Sequence, residues 1–179
     1  MLDNIKRFFR DRKLRKYASG LPTGLLPMSE ISTVNAVIDV EEQGFDLLKE
    51  EILAWGRSAG VKVNIYFFDF RKLSKDEILM TTIDKTLLRK GLDWLGTPNV
   101  AKLSNLFEEK SDLLISMIDN GDFPIEFLSK CAKARFKVGR CAFPGHAFDM
   151  VVRGASNEDL RSDSREIFQE ITEFLLKIK

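Results

Sequence analysis

Apolar positions along the chain switch between two periods. TVNAVIDV, beginning at Thr33, is a near-continuous apolar run rich in β-branched residues, the pattern of a strand buried on both faces. Phe45, Leu48, Ile52, Trp55 and Ala59 then recur at steps of three and four and predict one face of a helix. Gly60 stands just past that face, where a left-handed backbone commonly ends a helix. VKVNIYFFD is a second buried strand, so strand, helix and strand follow one another within about 37 residues, the size of a βαβ crossover.

Residues 71–98 carry the weakest pattern: polar RKLSKDE, a short strand predicted around Leu79–Ile83, and the loop DWLGTP. Thr97 is expected to cap a helix with Pro98 in its first turn and Val100, Leu103, Leu106 and Phe107 as its apolar stripe. DLLISMI is a third buried strand, and Asp122 and Pro124 open a helix predicted to bury Phe127, Leu128 and Cys131. FKVG is a fourth strand, and FDMVV a further one, reached through a turn at Pro144-Gly145. SREIFQEITEFLLKIK sets Ile167, Ile171, Phe174, Leu175 and Ile178 on one side of a terminal helix.

Strands alternating with helices predict an α/β fold, a three-layer Rossmann-like sandwich with a mainly parallel sheet. The expected organisation is a basic N-terminal helix or arm over residues 1–20, a linker over 21–32 marked by LPTGLLPMS, and a single α/β domain over 33–179.

Charge changes the picture at one end. Residues 1–20 hold Lys6, Arg7, Arg10, Arg12, Lys13, Arg15 and Lys16 against Asp3 and Asp11, a balance of +5 that leaves −4 on the other 159 residues. A basic arm on an acidic body points to an anionic partner: a protein, an anionic membrane surface or RNA. Leu2, Ile5 and Phe9 give the arm a short apolar face suited to a bilayer interface, while Arg12 and Lys16 fall on that face further along. No apolar run is long enough to span a membrane and the start turns basic where a secretory signal turns apolar, so the expected location is cytoplasmic, or peripheral at the inner face of the membrane. Two cysteines and one histidine exclude a disulfide framework and the standard structural zinc sites.

The segments LDWLGTP and DLLISMIDNGDFPIEFLSKCAKARFKVGR, together with the basic N-terminal helix, resemble an uncharacterised family of short bacterial cytoplasmic α/β proteins, a domain of unknown function. That resemblance implies a class and no mechanism. Asp112-Leu113-Leu114-Ile115, an amphipathic helix, and then Ala134, Phe136 and Gly139 are similar to a strand–helix–strand in the N-terminal Rossmann-like domain of heptosyltransferase-type glycosyltransferases. The Gly-rich loop of those enzymes is replaced here by Val40-Glu41-Glu42-Gln43-Gly44, and the second domain that binds most of the nucleotide-sugar has no room in this chain. The likeness implies shared architecture, not shared catalysis.

Ligands of open α/β sheets bind beyond the carboxyl ends of the strands, where Asp39, Asp69 and Asp119 are expected. Clustered carboxylates hold Mg²⁺ or share a proton, but more often cap helices as hydrated loop residues. Trp94 in DWLGTP either closes over a ligand or plugs the end of the sheet core. Cys141 and His146 stand five residues apart across a Pro-Gly turn, a spacing that a nucleophile and its base can use, although a surface or turn histidine is the better reading. Walker and G-x-G-x-x-G sequences are missing, and Glu41 and Glu42 would repel a phosphate at the first loop, so no cofactor and no metal site is expected.

The sequence therefore leans away from an enzyme. It describes an α/β domain docking through its basic helix to an anionic surface or protein partner. The alternative is a small ligand-binding domain or enzyme with a carboxylate site at Asp39, Asp69, Asp119 and Trp94.

Overall fold

The computed structural model describes residues 2–72, 81–153 and 163–179. Six parallel strands, β1 (Thr33–Asp39), β2 (Lys62–Asp69), β3 (Thr86–Leu88), β4 (Ser111–Ser116), β5 (Ala134–Gly139) and β6 (Met150–Val151), form one sheet in the order β3-β2-β1-β4-β5-β6. Five α-helices accompany them among the described residues: α1 (Leu2–Tyr17), α2 (Phe45–Ala59), α3 (Ser104–Phe107), α4 (Phe123–Cys131) and α5 (Ser164–Leu175). The fold is a three-layer, Rossmann-like α/β sandwich.

Alternation along the strands divides the core in two. Val37, Phe68 and Leu114 point into a layer with Leu14 of α1, Leu106 and Phe107 of α3, and Phe127 and Leu128 of α4. Val34, Ala36, Ile38, Leu113, Ile115 and Phe136 point the other way, against Leu48 and Ile52 of α2 and Ile167, Phe168 and Ile171 of α5. Both faces of the central strands are thus dry, which is why their sequences read as unbroken apolar runs.

Two glycines are demanded by geometry. Gly60 ends α2 at φ 69°, and the following Val61 N–H closes onto the Gly56 carbonyl at 3.0 Å. A Cβ on Gly139 would lie 2.4 Å from the Phe148 ring, so β5 tolerates no side chain there.

The structure corrects four local expectations. The edge strand is β3 at Thr86–Leu88; of the strand predicted at 79–83, residues 79–80 lie outside the described residues, and Ile83 begins a 3-10 turn. Thr97 caps no helix: it is buried, and the segment after it is a 3-10 turn, Val100–Leu103, followed by the four-residue α3, because Leu103 at φ −121°, ψ 39° interrupts the helical backbone. On α5, Phe174 is exposed and Phe168 takes its place in the core, since about 100° per residue aligns positions 164, 167, 168, 171 and 175 and leaves 174 on the flank. On α2, Gly56 is buried while Ala59 is exposed.

Candidate functional site

Strand order reverses between β1 and β4, so the loops following these two strands border the crevice where open α/β sheets usually bind ligands. In this chain the crevice is filled by its own arginine. Arg140, at the end of β5, is buried; its Nη1 donates to the Met117 carbonyl at 3.2 Å and to Ser164 Oγ, and its Nη2 donates to Asp119 at 3.1 Å. Glu42, in the loop after β1, accepts from Ser164 Oγ and lies 3.6 Å from Nη1. One guanidinium therefore ties together the loops after β1 and β4, the end of β5 and the start of α5. Its Nε has no hydrogen-bond partner among the described residues. Nothing in FKVGR singled this arginine out, because a strand-terminal cation looks the same whether it points to water or into a crevice.

Of the carboxylates expected at this edge, Asp119 is thus engaged by Arg140 while remaining largely exposed. Asp69 is 1% exposed and receives Arg71 Nε and Nη2, both at 2.8 Å. Those hydrogen bonds hold its pKa below the ordinary carboxylate value despite the burial that opposes them. Asp39 accepts the Glu41 N–H at 2.8 Å, which closes a tight turn. Burial pushes its pKa up, the Glu41 hydrogen bond counters this, and the nearby Asp69 charge adds to the rise. Among the described residues, no group of three His, Cys, Asp or Glu side chains is arranged to hold a metal ion. Asp112 serves the opposite end of the sheet. Burial raises its pKa, but hydrogen bonds from the Ser32 and Thr33 N–H groups, the Thr33 hydroxyl and Arg135 outweigh that and lower it.

Cys141 and His146 do not pair. The Cys141 Sγ lies 3.8 Å from Asp119 Oδ1, with a pKa raised by burial and then by that carboxylate, while His146 sits in a turn at φ 52°. Cys131 is buried, and burial pushes its thiol up to about 12, so it is unreactive as a nucleophile.

Helix α1 is attached to the body in an unexpected way. Arg10 Nε donates to the Leu95 carbonyl at 2.8 Å and its guanidinium lies 4.4 Å from the Phe123 ring centroid. Lys13 pairs with Asp93 at 3.5 Å, Leu14 is buried, and Tyr17 packs on Phe127 with ring centroids 5.8 Å apart. Two of the seven basic residues thus fix the helix in place. The apolar residues of its first half are left outside: Ile5 is 47%, Phe8 64% and Phe9 38% exposed. Trp94, 66% exposed, meets Phe9 edge-on at 5.9 Å, and Phe8 meets Phe9 at 5.6 Å. At about 100° per residue, Ile5, Phe8, Phe9, Arg12 and Lys16 fall within one arc of about 100°, and Arg10, Leu14 and Tyr17 lie opposite. Among the described residues, Lys6, Arg7, Arg12, Arg15 and Lys16 form no ion pair.

No helix among the described residues is long and apolar enough to cross a membrane. No curated protein and no solved structure matches the chain. A family model does match, over residues 6–174, and so takes in most of α1 together with the whole sheet. The chain belongs to the family of unknown function DUF6913.

Proposed function

We propose that this protein is a non-enzymatic docking domain that rests on an anionic membrane surface through the outer face of α1. The observation that carries this reading is the reversal of α1, which turns Arg10, Lys13 and Leu14 toward the body and leaves Ile5, Phe8 and Phe9 outside beside Trp94. Aromatic rings settle at headgroup depth in a bilayer, and cations next to them meet anionic headgroups. Each Lys or Arg near such a surface contributes about 1 kcal/mol and loses it as salt rises. Arg12 and Lys16, in the same arc of α1 as Ile5, Phe8 and Phe9, are available for this, while the balance of −4 on the remaining 159 residues is repelled by the same surface and favours approach through α1.

RNA would satisfy the cations, but it offers no hydrocarbon layer to Ile5 and Phe8. A carboxylate site is disfavoured because Asp69 and Asp119 are each already held by an arginine. The reading implies a cytoplasmic protein that is peripheral at the inner face of the membrane.

Co-sedimentation of the full chain with phosphatidylcholine vesicles, with and without phosphatidylglycerol, tests it. The chain is expected to pellet with the anionic vesicles alone, to be released by added salt, and to lose most binding in Phe8→Ser and in the double variant Arg12→Gln/Lys16→Gln. Recovery of the wild-type chain in the supernatant with both vesicle types would overturn the proposal.

A further inference from the structure

On the inner side of α1, away from its exposed rings, a cavity of about 620 Å³ opens between α1, residues 18–23, α4 and the turn at Gly145-His146. Lys137 of β5 lines it. Strand alternation points this lysine into the α1 and α4 layer, where it is only 4% exposed, and its Nζ donates to the Ser129 carbonyl at 2.8 Å. No carboxylate pairs with that ammonium among the described residues. The nearest acid in charge terms, Asp149, is engaged elsewhere: its Oδ2 accepts the Lys137 backbone N–H at 2.8 Å and its Oδ1 accepts the Thr23 hydroxyl at 2.6 Å.

Burial pushes the Lys137 pKa down to about 8, and the Asp149 charge only partly restores it. The amine therefore stays largely protonated at neutral pH. A buried ammonium with a single hydrogen bond to the protein has two further N–H donors and a charge that no protein carboxylate neutralises, an arrangement that an anion in the cavity would complete.

The rest of the lining has the matching character. Arg15 and His146 add basic side chains, Asp11 is the one acid, and Leu14 and Leu21 supply an apolar wall. Lys130 also borders the space but is neutralised by Glu126 at 2.6 Å. The volume suits a small metabolite and exceeds what a lone inorganic ion needs.

We infer that this cavity binds a small organic anion, with its carboxylate or phosphate group on Lys137 and its hydrocarbon part against Leu14 and Leu21. The site is separate from the membrane-facing side of α1, and its occupancy does not depend on the docking proposal.

Thermal unfolding of the full chain in benzoate, citrate and phenyl phosphate, each against sodium chloride of equal ionic strength, tests the inference. At least one carboxylate or the phosphate monoester is expected to raise Tm saturably, as mass action requires of a native-state binder. The carboxylate and phosphate arms tell the two headgroups apart. Lys137→Met is expected to abolish the rise. His146→Asn, which keeps a residue tolerant of the left-handed backbone at φ 52°, is expected to weaken it several-fold and decides the matter if the lysine variant fails to fold. The proposal is overturned if no probe exceeds the chloride control, or if the Tm rise survives unchanged in a folded Lys137→Met or, failing that, in His146→Asn.

Discussion

Helices α1 and α5 flank the same sheet from opposite sides and use their apolar residues in opposite ways. α5 buries Ile167, Phe168, Ile171 and Leu175 against the sheet and α2, and fixes its outer side through Arg165 and Gln169 to Glu51. α1 is fixed by Arg10, Lys13, Leu14 and Tyr17 and keeps Ile5, Phe8 and Phe9 in solvent. An amphipathic helix that serves only the fold behaves like α5. The reversal in α1 shows that its apolar side is not required to hold the body together. It is free to meet something else.

Substitutions separate the two uses by size of effect. Ile171→Ala removes a fully buried side chain from the α5 seam and is expected to cost about 2–4 kcal/mol in urea unfolding, with Phe8→Ala on α1 within about 0.5 kcal/mol of wild type. Equal losses at the two positions would erase the distinction.

Asp69→Asn tests whether the carboxyl edge is structural. Breaking its paired contact with Arg71 is expected to cost about 2–3 kcal/mol at pH 7, below the range for fully buried pairs because Arg71 is partly exposed. Because the folded-state pKa of Asp69 is lowered, its contribution is complete above the unfolded value of about 4 and is lost as pH falls through the folded one. The gap between wild type and variant is therefore expected to close only in strong acid, in a pH series of chemical unfolding.

Lys137→Met carries the opposite sign. A lysine whose folded pKa is about 8 and whose unfolded pKa is about 10.4 penalises folding fully below the first value, and the penalty fades as pH rises to the second. In the absence of ligand the variant is expected to be roughly 1–2 kcal/mol more stable than wild type at pH 7, with that advantage shrinking between about pH 8 and 10.4. A variant less stable than wild type across this range would show that the ammonium is satisfied within the fold.

Arg10→Gln has a small expected effect on global stability, about 1 kcal/mol, because it removes one hydrogen bond and one ring contact at the edge of the body. It is expected to act locally, speeding hydrogen exchange in α1 while α5 stays protected.

Much of the fold was legible in the sequence. β1, β2 and β4 are central, dry on both faces and therefore continuously apolar, and α4 opens where Asp122 and Pro124 announce it. β3 and β6, three and two residues long at the sheet edges, are too short to impose a period. The site was less legible. Periodicity finds the stripe of Ile5 and Phe9, but it does not tell which side of a helix meets the body, and here tertiary contacts from Arg10 and Tyr17 decide the matter. Strand alternation likewise places Lys137 and Arg140 without saying that one meets a cavity and the other bridges Glu42 and Asp119. The basic composition of residues 1–20 was plain from the start; its division into anchoring and outward-facing cations was not.

Fluorescence of Trp94 in a Trp55→Phe background, titrated with anionic and neutral vesicles, tests the central claim most directly, because Trp94 touches Phe9 at the edge of the outward face. A blue shift with phosphatidylglycerol vesicles alone, lost in Phe8→Ser, is the predicted result. An emission spectrum unchanged by either vesicle would contradict it.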